Sequence, residues 1–152
     1  MEQKTVLELF DRYGDTVYRV ALGYLRSPQE AEDAVQTIFL RLLERDTQVY
    51  LGKERAFLTK MTINHCKNVL SATKRRDTVP LEEAVLLAQP EDQELFRTVM
   101  DLPEQYRTVV CLHYFEGYSF QEIARLLRIG PSAVSMRLHR ARNMLKQQVG
   151  RF

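Results

Sequence analysis

Apolar residues recur along this chain at intervals of three and four, and no period-two alternation runs longer than a few residues. That spacing puts side chains on one face of a 3.6-residue helix, so the chain is predicted to be all-α. A first helix is expected over residues 4–25, turning Leu7, Phe10, Val17, Ala21 and Leu25 to a core and stopping at Ser27-Pro28. Ser27 caps a second helix, to about residue 44, with Pro28 in its first turn and Glu30 at the third position. Its apolar positions are Ala34, Val35, Ile38, Phe39, Leu42 and Leu43. A loop over 46–53 leads to a third helix, 54–76, apolar at Phe57, Leu58, Met61 and Leu70 and ending in Lys74-Arg75-Arg76.

Residues 77–93 change character. They hold Asp77, Glu82, Glu83, Glu91 and Asp92, no lysine or arginine, and prolines at 80 and 90, the composition of a linker with room for a short helix over 81–88. Its acidity serves either to keep it off a polyanion or simply to solvate it. The chain therefore reads as two small helical domains, 1–76 and 93–152, joined by an acidic linker over 77–92. Helices are expected in the second over 93–101 and 103–115, with Gly117 as a left-handed stop.

The last third of the chain is the most specific. Ser119 and Glu122 form a capping box before a helix whose Ile123, Ala124 and Leu127 share a face. After Arg128-Ile129-Gly130, Pro131 restarts a helix with Val134, Leu138 and Ala141 inward and Ser132, Ser135, Met136, Arg137, His139 and Arg140 outward. Two short helices separated by a turn make a helix-turn-helix, whose second member enters the major groove of DNA.

Charge supports that reading locally rather than globally. The whole chain carries 22 basic and 20 acidic residues, but residues 119–152 hold seven basic residues against the single acid Glu122. Such a stripe attracts phosphate backbones and makes binding salt-dependent. With 152 residues and 45% hydrophobic content the chain can bury cores. It has no apolar run long enough to span a bilayer and no signal-peptide core after Met1, so a cytoplasmic protein is expected. Cys66 and Cys111, its two cysteines, give no disulfide framework and read as small buried hydrophobes. A metal site from His65, Cys66, Cys111 and His113 is disfavoured, because adjacent helical residues diverge and the pairs fall in different domains. No phosphate loop, nucleophile elbow or paired carboxylates appear, so neither an enzyme nor a cofactor is expected.

Several segments resemble bacterial sigma factors. Asp101-Leu102-Pro103-Glu104-Gln105-Tyr106-Arg107-Thr108-Val109-Val110, then Tyr114 to Ala124, then Arg137-Leu138-His139-Arg140-Ala141-Arg142 are similar to region four of that family. Ala31-Glu32-Asp33-Ala34-Val35-Gln36-Thr37-Ile38-Phe39-Leu40-Arg41-Leu42 resembles the region-two helix that docks on RNA polymerase, and Ala56-Phe57-Leu58 with Ile63-Asn64 resembles the segment that meets the minus-ten element. Both regions in one short chain, with no third region between them, is the layout of the extracytoplasmic-function group of the sigma-70 family.

The resemblance implies a non-catalytic promoter-specificity subunit whose partners are core RNA polymerase and promoter DNA, and often an anti-sigma factor. By position, Asp33, Gln36, Phe39, Leu40 and Arg41 would face the polymerase, with core packing as the second reading of Phe39. Lys60, Asn64, Lys67, Asn68, Lys74, Arg75 and Arg76 would serve the minus-ten element, helped by Tyr50 as a stacking ring, while Phe57 reads as core. Ser132, Ala133, Ser135, Met136, Arg137, His139 and Arg140 would face the minus-thirty-five element, with specificity resting on Arg137, Arg140 and DNA shape. Several positions depart from the family pattern: Phe57 stands where many relatives carry tryptophan, and Ser132, Ala133, Ser135 and Met136 give a less basic reading face. Arg128 stands where glycine is usual, at a cost on the order of 1 kcal/mol if the backbone is left-handed, and Gly130 replaces a capping serine beside the compensating Pro131. The competing reading is a stand-alone helix-turn-helix regulator that binds duplex DNA without polymerase.

Overall fold

The computed structural model describes residues 3–45, 49–72 and 93–149. All regular structure among them is helical. The chain divides into two compact units, Met1–Thr78 and Val79–Phe152.

The first unit contains α1 (Gln3–Leu25), α2 (Pro28–Glu44) and α3 (Glu54–Ala72). Arg26 and Ser27 alone connect α1 to α2. Arg26 takes a left-handed φ of 59° while its amide closes on the Leu22 carbonyl. The Ser27 hydroxyl accepts from the Glu30 amide at 3.2 Å, and Pro28 occupies the first turn where no amide donor is needed. α1 packs along both partners, closing a core of Val6, Leu9, Val17, Ile38, Phe39, Leu42 and Leu58 with Tyr13, Val35, Phe57 and Met61 at its margin.

One expectation for α1 is corrected. Val17, Ala21 and Leu25 are buried as read, but Leu7 is 56% and Phe10 46% exposed, and Val6 and Leu9 take the inward places. The helix carries two apolar stripes one residue, or about 100°, apart. In its first half Val6 and Leu9 are buried in the core with Tyr13 at its margin, while Phe10 meets that core from the surface, edge-on to Phe39. Leu43, grouped with the apolar positions of α2, is exposed as well.

The second unit contains α4 (Gln93–Met100), α5 (Glu104–Val110), α6 (Phe120–Leu127) and α7 (Pro131–Val149). Val99, Met100, Leu102, Tyr106, Val110, Cys111, Ala141 and Leu145 form its core, flanked by Leu95, Phe96, Leu138 and Met144. The helix expected over 103–115 is not uniform. It is α-helical to Val110 and then widens into a π-helical turn, Cys111–Phe115. The Glu116 amide bonds back to the Cys111 carbonyl at 3.1 Å, five residues away. Widening lets Cys111 and Leu112 stay buried while Tyr114 and Phe115 turn out. Gly117, at φ 78°, then ends the segment in the left-handed conformation read from the sequence. The linker over 77–92, the short helix expected within it, and Lys74, Arg75 and Arg76 lie outside the described residues.

Candidate nucleic-acid interface and docking surface

The helix-turn-helix is built by local chemistry. Ser119 accepts from the Glu122 amide at 3.1 Å, and the Glu122 carboxylate accepts from the Ser119 amide at 2.9 Å, so both donors of the capping box are satisfied. Ile123, Ala124 and Leu127 bury the inner face of α6. Arg128 ends the helix at φ 59°, ψ 44°, and the Ile129 amide reaches the Ala124 carbonyl at 3.0 Å. That six-to-one bond is the Schellman closure usually made with glycine, so the turn keeps its geometry and the arginine carries the strain. At the start of α6, the His113 Nδ1–H donates to the Tyr118 carbonyl at 2.8 Å, and the His113 ring meets Phe120 edge-on at 5.1 Å.

α7 restarts at Pro131, and the Gly130 carbonyl accepts from the Ala133 and Val134 amides. Val134, Ala141 and Leu145 anchor its inner side. Ser132, Ser135, Met136, His139 and Arg140 are exposed, as the sequence reading requires of a face that meets DNA. Ala133 and Arg137 are only half-exposed and sit on the flank of that face. His139 Nε2 lies 3.4 Å from the Asn143 amide nitrogen, a contact that adds Asn143 to the same ridge. Arg142 and Lys146 continue the exposed cationic surface further along α7.

In the first unit, α3 presents Lys60, Asn64, Lys67 and Asn68 outward, four polar side chains at helical spacing along one face. Opposite them Leu58, Thr59, Thr62, Ile63 and Cys66 are buried. The Thr62 hydroxyl is satisfied by the Leu58 carbonyl at 2.6 Å. The chain enters α3 through a tight turn in which the Lys53 amide bonds to the Tyr50 carbonyl and Gly52 takes φ 84°. Tyr50 and Leu51 project from this turn into solvent. Arg12 of α1 reaches Glu54 at 3.9 Å and ties the entry of α3 back to the bundle.

On α2, Asp33, Gln36 and Leu40 are exposed and Arg41 is half-buried. Phe39 is not part of that surface. It is buried in the core, which decides between its two readings in favour of packing, because the pitch of α2 that turns Ile38 and Leu42 inward carries residue 39 with them. Next to Gln36 opens a cavity of about 410 Å³ between α1 and α2, lined by Phe10, Asp11, Gly14, Asp15, Tyr18, Glu32, Val35 and Gln36. Its apolar floor and three carboxylates were missed by sequence reasoning. The available signal was the second apolar stripe of α1, Leu7 and Phe10, flanked by Asp11 and Asp15. Arg41 also acts on α3: its charge, after partial burial, helps hold the His65 imidazole below its ordinary pKa.

Both thiols are buried and lie in separate units. Burial pushes the Cys111 thiol up to about 12, with Glu116 adding to the rise and Arg107 opposing it. Arg107, itself buried, donates from Nη1 to the Leu102 carbonyl at 3.0 Å and so braces the start of α5. Among the described residues no cluster of three or more histidine, cysteine or acidic side chains could hold a metal ion, and no helix is long and apolar enough to cross a membrane.

Two family models match the chain, sigma-70 region 2 over residues 9–76 and sigma-70 region 4 over residues 92–145. The chain belongs to the extracytoplasmic-function group of the sigma-70 family. Its relatives include the sigma factor SigM of Mycobacterium tuberculosis, 28% identical over 94% of this chain and 76% of the relative. Another is SigW of Bacillus subtilis, 27% identical over 97% of this chain and 90% of the relative. The sigma-E factor of Escherichia coli is 28% identical over 97% and 88% respectively. In fold, this sigma factor is similar to RpoE of Bartonella quintana, solved with the anti-sigma factor NepR, at a TM-score of 0.73 and 15% identity over 98% of this chain and 96% of that one. CnrH, solved with the cytosolic domain of CnrY, gives 0.67 and 22% over 98% and 90%.

Proposed function

We propose that this sigma factor binds core RNA polymerase through the exposed side of α2, reads minus-thirty-five DNA with α7, and holds the opened minus-ten strand against α3. The observation that carries the proposal is the α6–α7 pair, whose capped and closed turn leaves Ser132, Ser135, Met136, His139 and Arg140 free to meet base edges and phosphates. Asp33, Gln36, Leu40 and Arg41 form the mixed polar and apolar patch of a reversible interface. Lys60, Asn64, Lys67 and Asn68 combine cations with amide edges, and Tyr50 adds a ring, the groups that grip an unstacked strand. The described part of α3 is joined in this role by Lys74, Arg75 and Arg76. The protein acts by positioning polymerase on DNA and transforms no substrate of its own.

The acidic cavity between α1 and α2 adjoins the polymerase patch through Gln36. An anti-sigma factor, the kind of partner with which RpoE of Bartonella quintana was solved, would block initiation by covering this region. Co-purification of the full chain with core polymerase tests the proposal. Leu40→Asp is expected to weaken the complex at least tenfold with the fold intact, and a wild-type chain with no affinity for core enzyme would overturn the reading.

A further inference from the structure

Among the described residues of α7, Met136 is the one large apolar side chain left open to solvent, 51% exposed, on a face otherwise made of Ser132, Ser135, His139 and Arg140. Its counterparts on the helix are accounted for: Val134, Ala141 and Leu145 are buried, and Leu138 and Met144 pack on the core. Nothing in the packing of the second unit calls for an apolar group at residue 136. Exposure there has a cost in water and no return until a partner covers it.

The floor of the major groove offers one apolar feature, the C5-methyl group of thymine; every other readable edge atom is a hydrogen-bond donor or acceptor. A residue in the second turn of a recognition helix lies at the depth of base edges rather than of phosphates. The thioether of methionine is unbranched and polarizable, suited to lie against a methyl without exact registry. Ser132 and Ser135 are short and do not compete for that space, while Arg140, one turn further on, is placed for a guanine edge or a phosphate.

We infer that Met136 is a specificity-determining residue that selects thymine at one position of the minus-thirty-five element by contact with its C5-methyl group. The inference rests on the assignment of α7 to minus-thirty-five DNA and gives that surface a base preference that its polar residues do not encode.

The test uses holoenzyme assembled from the full chain and purified core polymerase, with a duplex library randomised across the minus-thirty-five region. Wild type is expected to enrich a thymine at one position that Met136→Ala no longer enriches and Met136→Leu retains. On one selected duplex, replacing that thymine by deoxyuridine removes a single methyl and leaves base pairing unchanged. The expected loss is about fourfold for wild type, the worth of one buried methyl group, and none for Met136→Ala. 5-Methylcytosine in place of cytosine at the same position is expected to recover part of the affinity for wild type alone. Because residue 136 is exposed and alanine favours helix, circular dichroism of the variant should match wild type. A thymine preference that survives in Met136→Ala, or equal sensitivity of both proteins to deoxyuridine, would overturn the inference and leave the proposed function standing. A library with no enriched sequence would overturn the assignment of α7 itself.

Discussion

The ring of Phe10 stands edge-on to that of Phe39, with centroids 5.2 Å apart and planes at 78°. Phe39 is buried, whereas Phe10 is nearly half exposed and lines the acidic cavity, so this pair joins the core of the first unit to its surface. The two residues should separate stability from binding. Phe39→Ala is expected to destabilise the first unit by about 3–5 kcal/mol, and Leu40→Ala, one position on, by less than about 0.5 kcal/mol. Chemical denaturation of each variant checks the contrast, and pull-down of core polymerase should show the reverse order once the folded fraction is taken into account.

Arg128 holds a left-handed backbone that glycine adopts without strain. Arg128→Gly is expected to stabilise the second unit by about 1 kcal/mol while weakening DNA binding by the loss of a cation. Thermal melts and fluorescence anisotropy, run on the same variant, should move in opposite directions.

How much of this was legible beforehand depended on whether the cause was local. Ser27 with Pro28, Ser119 with Glu122, and Gly117 announce helix ends through chemistry confined to a few residues, and the structure has each of them where the sequence put it. Phe10 and Leu7 were misplaced because α1 carries two neighbouring apolar stripes, and the packing of α2 and α3 chooses between them. The π-helical turn at Cys111–Phe115 was invisible because periodicity does not distinguish four-residue from five-residue closure over a single turn. Arg107 is polar by type yet buried, since its partner is the Leu102 carbonyl, which no sequence pattern marks. The outward face of α7 was legible because its inward residues are so clearly spaced, though Arg137 proved half-buried on the flank.

Partial burial and the charge of Arg41 lower the pKa of His65 from its ordinary 6.5. The unfolded chain therefore binds a proton more readily than the folded one, so stability from this group is present above pH 6.5 and is lost as pH falls below it. His65→Gln should flatten that part of the stability-against-pH curve, as followed by urea denaturation between neutral and mildly acid pH.

For Cys111 the direction is opposite: with the folded thiol pushed up to about 12 from 9.0, stability should fall as pH rises from 9.0 towards 12. At neutral pH the buried thiol should resist alkylation in the native protein and react once denatured. Mass spectrometry after timed labelling checks this.

Arg140 and Lys146 are exposed cations on α7. If each neutralises one phosphate, substitution by alanine should lower the slope of log affinity against log salt by about 0.9. Binding titrations across a salt series measure it.

Run-off transcription with purified core polymerase, the full chain and a pool of genomic promoter fragments tests the central claim most directly. The account expects discrete transcripts that require the added chain and disappear with Leu40→Asp. Transcripts that are unchanged when the chain is omitted, or none from any fragment in the pool, would contradict it.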